Sequence, residues 1–295
     1  PRLPRKPAPC YTAGMKIGID CRMFSTKFTG IGRYTHELVE HILQMNHKLK
    51  EPHQIVLFFN QPEYGHFRSL FPIKKVLVGA KHYSWREQTK FLRLLNKERC
   101  DVVHFTHFNV PLFYRGAYTV TIHDLILSLF PGKKMTKWYH RLAYNWTIKN
   151  AVKKAKKVVA VSKHTKKDII EHFKIPEEKI EVIYNGVNPE FKMIQEVGKF
   201  EHTLKKYGIQ LPFLLYTGVW RNHKNLPRMI QAVKLVRERG IDLQLVITGR
   251  PDPHYPEVQE TVAECGLEEA VIFPGLVSEK ELIYLYNAAM IFVFP

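Results

Sequence analysis

The sequence predicts an α/β protein of two successive units, each a mainly parallel sheet covered by helices, with the second unit incomplete. Three observations predict it. Short, near-continuous apolar runs alternate with longer segments of helical period. The alternation lapses over residues 188–212 and then restarts. Glycines recur just past the apolar runs, where a strand would turn into a helix. A chain of 295 residues, 45% hydrophobic and 24% charged, has material for two cores.

The opening, residues 1–14, is Pro-rich and lacks an apolar signal core. It reads as a disordered leader, or as translation upstream of a start at Met15. Residues 15–187 form the first unit. Its strands are expected at 16–20, 54–60, 76–79, 102–106, 118–123, 158–161 and 180–184, and its helices at 34–45, 85–97, 137–153 and 163–173. Residues 188–212 carry little apolar periodicity and read as a linker. In 213–295 the strands fall at 213–217, 243–248, 271–273 and 291–294, with helices at 226–239, 256–265 and 279–289. Such units are expected to face each other across a hinge and to bind ligands at the carboxyl ends of their strands. The last residues directly follow a strand whose edge would stand bare, so the chain reads as truncated.

Charge is unevenly placed. Residues 1–185 hold 33 Lys and Arg against 14 Asp and Glu, whereas residues 186–295 hold 12 against 13. The first unit is therefore expected to meet an anionic partner, such as a phosphorylated acceptor, an anionic lipid surface or nucleic acid. Cys10, Cys21, Cys100 and Cys265 are scattered, without C-x-x-C or metal-ligand spacing, which favours a reducing compartment over disulfides or zinc. No apolar run reaches membrane-spanning length.

The stretch Y-T-G-V-W-R-N-H-K-N-L, residues 216–226, reads as strand, glycine turn and helix start, with Arg221 and Lys224 ahead of the helix. A helix N-terminus favours an anion, and two cations beside it suit a diphosphate. A solvated basic turn is the bland alternative. Earlier, Gly30 and Gly32 precede the helix expected from Tyr34. Thr35 stands where a dinucleotide fingerprint needs its third glycine, and no P-loop Lys-Ser/Thr follows, so this is not a standard NAD or ATP site. His123 and Asp124 stand at a strand end, where a neutral imidazole could bond a sugar hydroxyl and the carboxylate could orient it. Residues 149–167 contain eight lysines, and Lys133, Lys134, Lys137, Trp138, Tyr139, His140 and Arg141 lie upstream. A basic aromatic surface of this kind can rest on an anionic membrane or meet nucleic-acid phosphate; a solvated helix face is the bland reading. Gly218, Gly249 and Gly275 each follow a strand on one rim, where a nucleotide could approach the backbone, with Val277 placed to bond a base.

The succession D-x-R, T-G-I-G-R-Y, T-I-H-D-L, V-S-K-H-T-K-K-D, I-Y-N-G-V-N, Y-T-G, K-N-L, I-T-G, F-P-G-L-V-S and F-V-F-P resembles the family 4 retaining glycosyltransferases of GT-B fold, from Met15 to Pro295. The resemblance implies two Rossmann-like domains, a nucleotide-diphosphate sugar held chiefly by the second, and transfer with retention to an acceptor held by the first. It implies no cofactor and no metal. It assigns the donor diphosphate to Lys224, with Arg221 as companion and Gly32 approaching from the first domain. His123 falls near the reacting sugar, and residues 273–277 form the base-contacting turn. The family's paired glutamates follow the F-V-F-P strand, where this sequence ends, so the chain alone is expected to bind donor poorly and turn over little. The implied setting is cytoplasmic, peripheral to the inner membrane face, with a glycan, lipid-linked or phosphorylated acceptor and no nucleic acid. Two rivals remain. A nonhydrolysing sugar-nucleotide epimerase of the same fold would need carboxylate acid–base groups beyond Asp124. A basic nucleic-acid or membrane-binding module would leave the glycine turns and Arg221–Lys224 unexplained.

Overall fold

The computed structural model describes residues 14–25, 30–129 and 138–295, and the chain divides into two compact units between Asn185 and Gly186. In the first unit the order is β1 (Lys16–Asp20), α1 (Gly30–His47), β2 (Gln54–Phe59), α2 (Glu63–His66) and β3 (Lys74–Leu77). A π-helical turn, Glu87–Phe91, then runs into α3 (Leu92–Glu98). There follow β4 (Val102–Phe105), β5 (Tyr118–Ile122), α4 (Ile126–Leu129), α5 (Trp138–Lys154), β6 (Lys157–Ala160), α6 (Lys163–Phe173) and β7 (Ile180–Val182).

Seven parallel strands lie in the order β3-β2-β1-β4-β5-β6-β7, with Ile19 opposite Leu57 on one side and His104 on the other. The central strands are buried on both faces, which is why β2 reads Q-I-V-L-F-F without alternation. The strand order reverses at β1, so the carboxyl ends of β1 and β4 border the crevice where such sheets take ligands. Helix α6 starts where Ser162 Oγ accepts from Thr165 N–H at 3.0 Å.

Two expectations shift. Helix α1 begins at Gly30, so Gly30 and Gly32 belong to its first turn rather than to a loop before Tyr34. Gly32, Thr35, Val39 and Leu43 bury one face at helical spacing, although glycine is a poor helix former. Strand β3 lies two residues earlier than 76–79. It is an edge strand with Lys74 and Leu77 exposed, so its alternation is weak.

The second unit contains α7 (Glu201–Tyr207), β8 (Phe213–Thr217), α8 (Leu226–Glu238), β9 (Gln244–Thr248), α9 (Glu257–Cys265), β10 (Val271–Gly275), α10 (Glu279–Ala288) and β11 (Ile291–Phe292). Its parallel sheet is ordered β10-β9-β8-β11. Tyr216, Ile230, Val233, Leu245 and Ile247 form one side of its core. On the other side Leu204 and Ile209 pack with Phe213, Leu215, Val246 and Leu285. Helix α7 thus lies within the stretch read as a linker; at seven residues it was too short to register a period. Helix α10 opens on a reciprocal capping box between Ser278 and Glu281. No helix among the described residues is long and apolar enough to cross a membrane.

Candidate functional site

In the first unit, polar side chains gather at the carboxyl ends of β1, β4 and β5. Arg22 is their hub. Its guanidinium is fully enclosed and bonds both Asp20 oxygens at 2.9 and 2.8 Å, Glu87 Oε1 at 2.7 Å and the Asn109 carbonyl at 2.8 Å. It also sits 4.0 Å from the centre of the Phe91 ring. Burial opposes this charge, but the two carboxylates outweigh it and keep Arg22 protonated. Losing either carboxylate would leave a buried cation underpaired, a strongly destabilising change.

The hub leads to His123. The Asp20 carbonyl accepts from Thr106 Oγ1 at 2.8 Å, and the Thr106 carbonyl lies 2.9 Å from His123 Nε2. A carbonyl only accepts, so Nε2 carries the imidazole proton and Nδ1 is left as an acceptor. The His123 ring stands edge-on to Tyr34 at 4.7 Å and parallel to His107 at 6.3 Å. Tyr34 in turn bonds Thr121, and His107 bonds Asn109, whose carbonyl Arg22 holds. Burial lowers the pKa of His123, against the opposite pull of the Thr106 carbonyl and Asp124. The ring is therefore neutral, positioned, and able to accept from a hydroxyl. Asp124 is exposed, and its Oδ1 accepts from Ile126 N–H at 3.0 Å, opening α4; the hydrogen bond that fixes His123 runs to Thr106.

Sequence reasoning singled out His123 but missed Thr106, Tyr34, His107 and Asn109. The run H-F-T-H-F-N-V at the end of β4 was the signal for Thr106, His107 and Asn109, since a parallel sheet with β4 beside β1 and β5 brings its end between Asp20 and His123; Tyr34 lies apart from it, in α1.

In the second unit the structure brings the three glycines together. Gly249 N–H donates to the Gly275 carbonyl at 2.9 Å. Gly249 has φ +112°, and a Cβ there would lie 2.2 Å from the Gly218 carbonyl oxygen. No other residue fits that contact. The loop after Gly218 closes in a 3₁₀ turn, Asn222–Lys224, and a left-handed Asn225, from which α8 starts with no side-chain cap and no acidic residue in its first turn. The α8 N-terminus thus keeps its positive end beside Lys224.

The two cations expected to act together have different neighbours. Lys224 Nζ lies 4.1 Å from the centre of the Phe294 ring, which is stacked on Tyr216. Arg221 bonds Asp252 and lies over Tyr255. It lines a cavity of about 180 Å³ with Asn222, Asn225, Pro227, Tyr255, Glu257 and Val258. The Val277 side chain packs against the Leu204–Leu285 side of the core. Of the basic aromatic run, Lys133, Lys134 and Lys137 lie outside the described residues, as do the side chains of residues 138–141; so does the leader through residue 13. Cys21, Cys100 and Cys265 are free thiols.

Comparison with known proteins follows the same division of the chain. Residues 28–191 match the family model described as Glycosyltransferase Family 4, and residues 200–295 match Glycosyl transferases group 1. An uncharacterized glycosyltransferase of Methanocaldococcus jannaschii is 26% identical over 284 residues, covering 90% of this chain and 70% of the relative. The O-antigen chain mannosyltransferase RfbU of Salmonella typhimurium is 30% identical over 219 residues, which are 74% of this chain and 55% of RfbU. HepE of Anabaena, solved in complex with UDP and glucose, superposes with a TM-score of 0.66 at 14% identity over 95% of this chain and 74% of HepE. That likeness is one of fold, and with the parallel sheets it agrees with the GT-B architecture.

Proposed function

We propose that this chain, which belongs to Glycosyltransferase Family 4 and carries a group 1 glycosyl transferase domain after it, moves a hexose from a nucleotide-diphosphate sugar to a glycan, lipid-linked or phosphorylated acceptor with retention of configuration. One observation carries the reading: Gly218, Gly249 and Gly275 converge at the carboxyl edge of the second unit, on the loop that ends in Lys224 and the uncapped start of α8. Backbone without side chains lets a nucleotide approach, with Val277 beside the base. Lys224 and the helix N-terminus then meet the diphosphate.

As the bond from the anomeric carbon to the diphosphate lengthens, negative charge gathers on the leaving group. Lys224 and α8 stabilise that charge more in the transition state than in the bound donor. Arg221, held by Asp252, supports the loop that carries Lys224 and supplies the second positive charge. The assignment gives this work to fixed cations rather than to a metal ion. In the first unit, neutral His123 accepts from a hydroxyl of the transferring sugar through Nδ1, and Gly32 lets the backbone approach the phosphates. Asp124 contributes charge near His123 rather than a bond to it. The family assignment sets aside the epimerase reading. The basic first unit supports an acceptor that is anionic or lipid-linked, at the cytoplasmic face of a membrane.

The test is transfer itself, using the full protein and a panel of nucleotide-diphosphate hexoses. Release of nucleoside diphosphate should require an acceptor, and NMR of the new glycosidic bond should report the anomeric configuration of the donor. An inverted product would refute retention.

A further inference from the structure

The first unit carries an exposed apolar and cationic face that neither the donor nor the sugar assignment uses. Leu112 is its junction. Leu112 N–H donates to Gln88 Oε1 at 2.8 Å, and the Leu112 carbonyl accepts from Lys154 Nζ at 2.8 Å. These two bonds tie the segment after β4 to the turn at Trp85 on one side and to α5 on the other. Ring contacts make the same link, since Phe108 lies 6.3 Å from Tyr83 and 5.0 Å from Tyr144 of α5.

From these three neighbouring elements large apolar side chains stand in solvent. Trp85 is 80% exposed, Phe113 71%, Tyr83 63%, and Leu142 and Trp146 58% each. Helix α5 explains its share by phase. Tyr144, Ile148, Ala151 and Val152 turn inward, whereas Leu142, Trp146, Lys149 and Lys153 follow one another along the outer side. On the flank formed by α3, Arg93 and Lys97 are exposed.

Carboxylates hardly dilute this charge. Glu87 is buried against Arg22, and Glu98 is buried against Lys16 and Lys74. From Val102 to Lys167 the chain has 13 Lys and Arg but a single acidic residue, Asp124.

We infer that the face built from Trp85, Phe113, Leu142 and Trp146, with Arg93, Lys97, Lys149 and Lys153 around it, seats the protein on an anionic lipid bilayer. Indole rings favour the headgroup level, aliphatic tips reach the acyl boundary, and lysine stems extend along it while their charges meet lipid phosphate. A nucleic acid would use the cations and the rings but gain nothing from Leu142. The inference rests on the lipid-linked acceptor reading for its purpose; its observations are independent of it.

The experiment uses the full chain and phosphatidylcholine vesicles with and without phosphatidylglycerol, some carrying brominated acyl chains that quench nearby tryptophan. Co-sedimentation is expected only with phosphatidylglycerol, with quenching that weakens in W85A/W146A. A well-placed cation carries about a fivefold factor in binding. Arg93→Gln combined with Lys97→Gln should therefore weaken it roughly 30-fold. Lys224→Ala should leave it unchanged, so failure here and failure of the donor assignment are distinguishable. The inference is overturned if anionic vesicles do not bind, if both double variants bind as the parent does, or if binding proceeds without quenching and is displaced by a DNA oligonucleotide.

Discussion

Replacing Lys224 by alanine is expected to lower the transfer rate by about two to three orders of magnitude, the loss seen when one fixed donor to a developing negative charge is removed. The fall should appear in donor binding as well as in kcat, because Lys224 already meets the diphosphate in the bound donor and the charge there grows further as the donor bond breaks. Lys224→Arg should recover part of it, since the charge returns with a different reach. The loop should survive either change. Lys224 closes a 3₁₀ turn through its backbone, with its N–H bonded to the Arg221 carbonyl at 2.9 Å. Steady-state kinetics checks this; a Lys224→Ala enzyme with the parental kcat would remove the lysine from the mechanism.

The second large effect is on stability in mild acid. His82, His104 and His107 are enclosed in the first unit, and burial lowers them to about 4, about 4 and about 3. Arg22 adds to the effect at His82, and His123 adds to it at His104 and His107. In the unfolded chain all three take a proton near pH 6.5. Between that pH and about 4 the unfolded state binds more protons, so stability must fall as pH falls. Each imidazole contributes on the order of 2 kcal/mol by pH 5, against roughly 5–15 kcal/mol for a whole domain. Glu87 works in the opposite sense, because burial raises it, against the pull of Arg22, so that in acid it gains its proton at a higher pH folded than unfolded. Glu98, with Lys74 and Lys16 overcoming its burial, and Glu281, bonded by Lys206 and Ser278, are held low, so they lose their stabilising charge only in stronger acid. Urea unfolding at pH 7.5, 6 and 5 should show the decline in the first unit, and His104→Asn should flatten it. Equal stability at all three values would mean that these rings are not held neutral.

Much of this fold was legible because its strands are buried on both faces. An apolar run such as I-V-L-F-F admits few other readings. The second-unit site was legible for a local reason: Gly218, Arg221, Lys224 and the start of α8 lie within nine consecutive residues. The first-unit site was not. Arg22 pairs with Glu87, which is 65 positions away, and His123 is held by a backbone carbonyl that no residue type announces. Only the strand order, with β4 between β1 and β5, brings them together. The same limit applies to Arg221, whose bond to Asp252 spans two turns of the sheet.

Calorimetric titration of the full protein with UDP-, GDP- and ADP-hexoses tests the central claim most directly. Saturable heat is predicted from at least one of them, strongly reduced in Lys224→Ala and largely kept in His123→Ala. No heat from any of the donors, or equal heat from the Lys224→Ala protein, would contradict the account.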